Sequence, residues 1–184
     1  MIPFETICWY PMRVTYGREE KVKKHLDKVE VENFLPMHYK LVRTPAGNNR
    51  RKLVPAVPNL IFVHSSQRDI TEMKMFRSEF EPMRYMTNRV HESGDDNIMR
   101  IPDAQMQNFM RVASVQDDSV FFLQTNDFLT KEGRHVEIID GDFAGVRGVI
   151  KRIQRNKHVV VQLDGIAAVA IAFVPGNFLR EIEE

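Results

Sequence analysis

Histidine, serine and paired carboxylates are the residues of this chain that have the chemistry for catalysis. None of the six histidines has a metal-ligand spacing with another His, a Cys or a carboxylate. No serine lies in a Gly-x-Ser-x-Gly elbow, and Gly141, Gly145 and Gly148 do not match a phosphate-binding loop. Asp140 and Asp142 flank Gly141, where turn chemistry explains them. The sequence therefore predicts no catalytic residue, no metal and no cofactor, and an enzyme is the least favoured function.

A row of basic residues has the spacing of one helix face. Successive members are three, four and three residues apart, which places them on the same side of a helix. An apolar stripe at positions 22, 26 and 29 lies beside them. Such a row can bind an anion such as a phosphate group. An ordinary solvent-exposed helix face would have the same residues, so both interpretations stay open. The row is Arg18, Lys21, His25 and Lys28.

A second basic cluster lies at the tip of a predicted hairpin. Arg50, Arg51 and Lys52 are adjacent and follow the turn at residues 44–49. Three neighbouring charges at a hairpin tip most often serve solubility, so this cluster is the weaker candidate for binding. Trp9 is expected to be a core residue.

The elements that position these residues follow from periodicity and turn signals. Residues 8–14, 33–42, 50–57, 60–64 and 83–87 have the pattern of strands. Helices are predicted from Glu19 to about residue 28, from a cap at Ser66 to about residue 77, and from Pro102 to about residue 113. The second helix is expected to bury Ile70, Met73 and Phe76. This order predicts an α+β domain with an antiparallel sheet flanked by helices.

The last third of the chain has a different pattern. Val136, Ile138 and Val149 alternate with polar residues, and further short runs cover residues 158–163, 166–173 and 179–182. Short β-branched runs between Gly, Asn and Asp turns predict a small closed β-barrel. Residues 116–132 are expected to link the two parts, although residues 121–123 are too apolar for a free linker.

Composition restricts the protein class. Residues 1–115 contain 18 Lys and Arg against 14 Asp and Glu, whereas residues 116–184 contain 8 against 11. Cys8 is the only cysteine, so no internal disulfide forms. No signal peptide is recognisable, and no apolar run approaches the roughly 20 residues of a spanning helix. A cytoplasmic protein without a membrane partner is expected.

Two parts of the sequence resemble one protein family. Residues 133–150, with Asp140-Gly141 and the glycines at 145 and 148, resemble the KOW motif of the transcription factor NusG, its relatives and some ribosomal proteins. Trp9-Tyr10, the charged helix after Gly17, the Pro36 strand and Pro58–Val63 resemble the NusG N-terminal (NGN) domain. The resemblance implies an NGN domain over 1–115, a linker over 116–132, and an SH3-like KOW β-barrel over 133–184.

Departures from the general family pattern indicate a specialised paralogue. Pro58-Asn59-Leu60 replaces the usual Pro-Gly-Tyr and, like His25-Leu26, is similar to RfaH. Asp164-Gly165 stands where general factors carry a Phe-Gly that docks the termination factor Rho or a ribosomal protein. The whole chain is most similar to Bacteroides-type antiterminators of polysaccharide operons.

The resemblance also implies binding sites. The face of the first helix, Arg18, Lys21, His25 and Lys28, would contact the non-template DNA strand of the transcription bubble. The chain would then be an elongation or antitermination factor, operon-specific in the sense that RfaH is, whose barrel binds an unknown protein. The residues expected at the clamp helices of RNA polymerase are Pro58, Asn59, Leu60, Phe62, Met106 and Phe109.

A ribosome- or RNA-associated protein is the alternative, because KOW barrels also occur there. Such a protein would need a far more basic barrel, whereas residues 116–184 contain more Asp and Glu than Lys and Arg. Transcription is therefore the favoured function.

Overall fold

Helices and strands alternate in the described residues up to 123, and the described residues from 133 to 183 form strands joined by turns and one short 3-10 helix. The structure is a computed structural model that describes residues 5–45, 47–88, 97–123 and 133–183. Within these ranges the helices are α1 (Glu19–Lys28), α2 (Gln67–Phe76) and α3 (Asp103–Ala113). The strands are β1 (Ile7–Val14), β2 (Asn33–Phe34), β3 (Met37–Arg43), β4 (Asn49–Pro55), β5 (Leu60–Ser66), β6 (Met83–Tyr85), β7 (Val120–Phe122), β8 (Arg134–Ile138), β9 (Arg147–Ile153), β10 (Asn156–Leu163), β11 (Ala167–Ile171) and β12 (Leu179–Glu181).

The chain divides into two compact units. The first consists of Met1–Pro36 and Val57–Asp103, and the second of Met37–Ala56 and Ala104–Glu184. The second unit therefore includes the β3–β4 hairpin and nearly all of α3. The domain limits expected from the sequence (1–115, 116–132 and 133–184) stay a prediction, and residues 89–96 and 124–132 lie outside the described residues.

The first unit is built on a four-stranded antiparallel sheet with the order β2-β5-β1-β6. β5 is an inner strand, and six of its seven residues are buried. Helices α1 and α2 both contact β5. Val22 and Leu26 of α1 and Ile70 of α2 are buried, as their spacing predicts. The sheet and these helices form the expected α+β core, in which Trp9 is buried.

The start of α2 confirms the predicted cap, whereas its end corrects a prediction. Ser66 Oγ accepts a hydrogen bond from the Asp69 N–H at 3.0 Å. The prediction that Phe76 is buried is wrong, because its side chain is 79% exposed. Phe76 is the last residue of α2. Helical periodicity alone does not show where along a helix the covered surface stops.

The second unit contains a six-stranded antiparallel sheet with the order β12-β8-β9-β10-β11-β7. This sheet is consistent with the predicted small β-barrel. Every residue of the alanine-rich strand β11 is buried. Gly148 of β9 is required by close packing, because a Cβ there would lie 2.7 Å from the Val160 carbonyl oxygen.

Strand β7 comes from the segment between the two predicted domains. It pairs with β11, and Leu123 N–H donates to the Ala168 carbonyl oxygen at 3.0 Å. Leu123 packs in a cluster with Val160, Ala168 and Ala170, and Phe121 lies against it. Leu123 is buried and Phe121 is partly buried against its cluster, so this part of the predicted linker packs on the second unit, and burial of its apolar surface favours that arrangement.

Candidate functional site

The turn at Pro58 and Asn59 is exposed but rigidly attached. Asn59 has a φ of +61°, a left-handed conformation that Asn tolerates better than most residues. Its N–H donates to Oε1 of Glu19, a buried residue at the start of α1. Its carbonyl oxygen accepts from the Val14 N–H at 2.9 Å. The turn is therefore tied to both α1 and β1 through the backbone of Asn59.

The four apolar residues predicted to contact polymerase are all buried. Leu60 and Phe62 share one face of β5, and Met106 and Phe109 share one face of α3. Their exposed fractions lie between 0 and 4%. The Phe62 ring lies 6.3 Å from that of Phe34, measured between centroids. All four residues are core residues of their units, and a role in polymerase binding stays a prediction.

The basic face of α1 is exposed to solvent, in contrast to the four apolar residues predicted to contact polymerase. Lys21 and Lys28 are exposed, as is Arg18, which lies at the N-cap just before the helix and not within it. His25 is half-buried, with its ring edge-on to buried Phe80 at 6.3 Å. In the part of the chain that the structure describes, no salt bridge involves Arg18, Lys21 or Lys28. The structure thus places all four predicted residues at one surface, with three cations available to a ligand.

Asp27 of α1 interacts with Lys23, a lysine outside the predicted basic row. Asp27 accepts from Asn33 Nδ2 at 2.8 Å and pairs with Lys23 at 3.0 Å. The Asn33 hydrogen bond is the largest cause of the lowered pKa of the Asp27 carboxyl; burial opposes it, and the hydrogen bond and charge of Lys23 lower the pKa further. This carboxylate therefore balances Lys23, beside the basic face, and does not neutralise Lys21.

The β3–β4 hairpin forms a second basic surface. Lys40 lies directly opposite Lys52, and Val42 opposite Arg50. Like charges at opposite positions repel each other. Arg51 lies over the Tyr39 ring at 5.2 Å and reaches Asp118 at 3.4 Å. The predicted basic tip is confirmed as exposed, and its function stays untested.

Sequence reasoning missed a histidine held between two carboxylates. His64 Nδ1 lies 2.5 Å from Glu32 Oε2, and His64 Nε2 lies 3.6 Å from Asp103 Oδ1. Its ring stacks on Trp9 at 4.7 Å. The three polar residues come from distant parts of the sequence, so no motif could reveal them. Among the described residues, no group of His, Cys, Asp and Glu has an arrangement that could hold a metal ion.

Tyr16 is the second residue that sequence reasoning missed. It lies just before the basic face of α1, with a φ of +64° and an exposed side chain. The only signal in the sequence was a large aromatic residue next to Gly17, in the break between a strand and a helix.

The barrel has an open groove of about 450 Å³. Its lining combines apolar residues such as Val136, Phe173 and Leu179 with charged and polar ones, namely Arg134, Lys157, His158 and the acidic Glu181. In β9, burial lowers the pKa of Lys151, and the charge of Asp164 acts in the opposite direction. The groove gives the barrel a concave surface of its own.

The described residues form an antiparallel α+β unit with a basic helix face and a second unit with a six-stranded, barrel-type sheet. The family described as transcription termination factor nusG matches residues 7–110, more than half of the chain, and the KOW motif matches residues 132–164. The chain belongs to the NusG family. No curated protein matches it. Within the described residues, no helix combines the length and apolarity needed to cross a membrane.

Family membership defines the general function. The chain is a transcription elongation or termination factor, and members of this family are non-enzymatic. The family also indicates RNA polymerase as a partner.

Proposed function

We propose that the chain binds the clamp helices of RNA polymerase through an NGN domain spanning residues 1–115 and thereby suppresses pausing or termination. The observation that carries the proposal is the match of the NusG and KOW models, in that order, to residues 7–110 and 132–164. A linker over residues 116–132 and a KOW domain over 133–184 complete the proposed organisation.

Polymerase binding begins, in this proposal, at the Pro58–Asn59 turn. Both residues are exposed, and the hydrogen bonds to Glu19 and Val14 hold the turn in one conformation, which lowers the entropy cost of binding. Leu60, Phe62, Met106 and Phe109 are buried. Their participation therefore requires that they become uncovered when polymerase binds.

The basic face of α1 contacts the non-template DNA strand in this proposal. Arg18, Lys21 and Lys28 have no acidic partner among the described residues, so they are available to neutralise phosphates. His25 is held against Phe80 and is positioned to contact a displaced base.

Specialisation is supported by two departures from the general family pattern. The turn carries Pro58-Asn59, as in RfaH, and Asp164-Gly165 replaces the Phe-Gly that docks Rho or a ribosomal protein. The chain therefore acts on selected operons, as the Bacteroides-type antiterminators of polysaccharide operons do. Its barrel binds an unknown protein partner without the Phe-Gly contact that Rho and a ribosomal protein use in the family.

Co-elution tests the polymerase part of this proposal. The full chain is mixed with the RNA polymerase or with the ribosomes of its host, and each mixture is separated by size. Co-elution with polymerase alone is expected. Co-elution with ribosomes alone would replace the proposal by the ribosome-associated alternative.

A transcription assay on a template with a pause site tests the rest. The wild-type chain is expected to shorten the pause. A variant with Lys21→Ala and His25→Ala is expected to co-elute with polymerase yet to shorten the pause less. An equal effect of wild type and variant would argue against the DNA contact, and no effect of the wild type would argue against suppression of pausing.

A further inference from the structure

Tyr16 has an unusual backbone conformation for its size. Its φ of +64° and the φ of +61° at Gly17 place two consecutive residues in the left-handed region. That region is natural for Gly and tolerated by Asn, whereas a bulky side chain there is strained. Asn or Gly would fit the turn better, so the turn itself does not explain a tyrosine at this position.

Packing does not explain the tyrosine either. The side chain is 86% exposed, so the ring contributes almost nothing to the core. Its structural partner is Arg18, whose guanidinium carbon lies 5.4 Å from the ring centroid. A strained residue with an exposed functional group is a common feature of binding sites.

The ring of Tyr16 and the cations near it indicate which class of ligand this surface would bind. The aromatic ring offers a flat apolar surface, and Arg18 adds a cation that strengthens stacking with a π system. Arg18 also belongs to the exposed basic face with Lys21 and Lys28. A ligand that is planar and also carries regularly spaced negative charges fits both features, and single-stranded nucleic acid has them. In a duplex the bases are already stacked on each other and cannot use the ring.

We propose that Tyr16, supported by Arg18, is a stacking site for one unpaired base of a nucleic-acid strand whose phosphates lie along the basic face of α1. This inference rests on the proposed DNA contact of α1 and adds a second base contact, by stacking, to the one proposed for His25. Phosphate contacts give binding strength that falls with salt, whereas stacking on Tyr16 gives a contribution that is insensitive to salt.

The test uses the full chain and a fluorescein-labelled 12-nucleotide DNA strand, with the same sequence as a duplex for comparison. Tyr16→Asn removes the ring and keeps a residue that tolerates the left-handed backbone, so the variant should melt at or above the wild-type temperature. Its affinity for the single strand is expected to fall about tenfold, with an unchanged salt slope and unchanged duplex binding. Tyr16→Phe retains the ring and is expected to recover most of the affinity.

A second readout detects the stacked base directly. A 2-aminopurine in the single strand is expected to lose fluorescence on binding to wild type and to lose less on binding to the Tyr16→Asn variant. Lys21→Ala provides the comparison, because it should reduce the salt slope while the quenching at saturation persists.

The outcomes separate the two proposals. If Lys21→Ala weakens binding but Tyr16→Asn changes neither affinity nor quenching, the stacking site is rejected and the DNA contact stands. An equal loss by Tyr16→Asn on single strand and duplex also rejects stacking. If the wild-type chain does not bind the strand, the DNA contact and the stacking site are both rejected.

Discussion

The two predicted contact surfaces of the NGN region differ in what their side chains already do. Leu60 and Phe62, expected at the polymerase, are buried in the inner strand β5. In contrast, Lys21 and Lys28 of α1 and Arg18, the residue before it, are expected at the DNA and are exposed. A residue of the first surface stabilises the fold of the free protein. A residue of the second surface contributes little to that stability, so its replacement should change the affinity for DNA and leave the fold intact.

This difference determines which experiments are informative. A charge placed at a core position disturbs folding as well as binding, so loss of polymerase binding would not identify a contact. The exposed turn at Pro58 and Asn59 and the face of α1 avoid this problem. Four sets of substitutions test the contrast, beginning with the largest expected effect.

The buried side of the comparison is tested with two phenylalanines of the same unit. Phe62→Ala is expected to reduce the free energy of unfolding by about 3–5 kcal/mol, because a fully buried ring leaves a cavity. Phe76→Ala should change it by less than about 0.5 kcal/mol, since that ring is 79% exposed. Urea unfolding followed by the fluorescence of Trp9, the single tryptophan of the chain, measures both. Equal losses of stability in the two variants would contradict the difference between the buried and the exposed phenylalanine.

Asn59 lies between the two extremes, because its backbone is constrained and its side chain is exposed. Asn59→Ala is expected to cost about 1–2 kcal/mol, since Ala is disfavoured at a φ of +61°. Asn59→Gly should be nearly neutral for stability. If the side chain contacts polymerase, the Gly variant will nevertheless co-elute less with polymerase. Thermal unfolding and co-elution of the same samples distinguish these effects, and full retention of binding by Asn59→Gly would exclude a side-chain contact.

The exposed side of the comparison is tested with lysines of one helix. Lys21→Ala combined with Lys28→Ala should leave the free energy of unfolding within about 0.5 kcal/mol of wild type. The slope of log affinity for single-stranded DNA against log salt should become less steep by about 0.7 for each phosphate that the variant no longer neutralises. Lys23→Ala is the matched control, because Lys23 is paired with Asp27. A slope that changes as much in the control would mean that net charge, not the face, determines binding.

The smallest effect concerns the pH dependence of the pair beside that face. Asn33→Ala removes the main cause of the lowered Asp27 pKa, so the pKa should rise towards its ordinary value of 3.8. A lowered carboxyl pKa stabilises the fold at pH values above 3.8, and this contribution disappears as the pH falls through the folded-state pKa. At this solvent-screened site the cost at neutral pH should stay below about 1 kcal/mol. NMR titration of the Asp27 carboxyl measures the pKa, and an unchanged value would show that Asn33 is not the cause.

Several elements could be predicted from the sequence because local rules control them. The β-branched runs and turn residues of the last third indicated strands, and Ala167–Ile171 of the alanine-rich run form the buried strand β11. The Ser66 cap was recognisable because its hydrogen bond spans only three residues. The predicted strand at 33–42 is divided in the structure into β2 and β3, with Leu35 and Pro36 between them. Pro36 lacks the N–H that a continuous ladder needs.

What the sequence by itself determined is the family, the type and order of the elements, and the basic face of α1, because these depend on spacing along the chain. Tertiary structure alone decided which apolar residues are exposed, since periodicity is the same for Phe76 at a helix end and for a residue under the sheet. It also decided that Glu19 meets Asn59 and that His64 meets Glu32 and Asp103, pairs that are far apart in sequence. The conformation of Tyr16 belongs with them, because the backbone can be held left-handed at a bulky residue only when the surrounding fold fixes both ends of the turn.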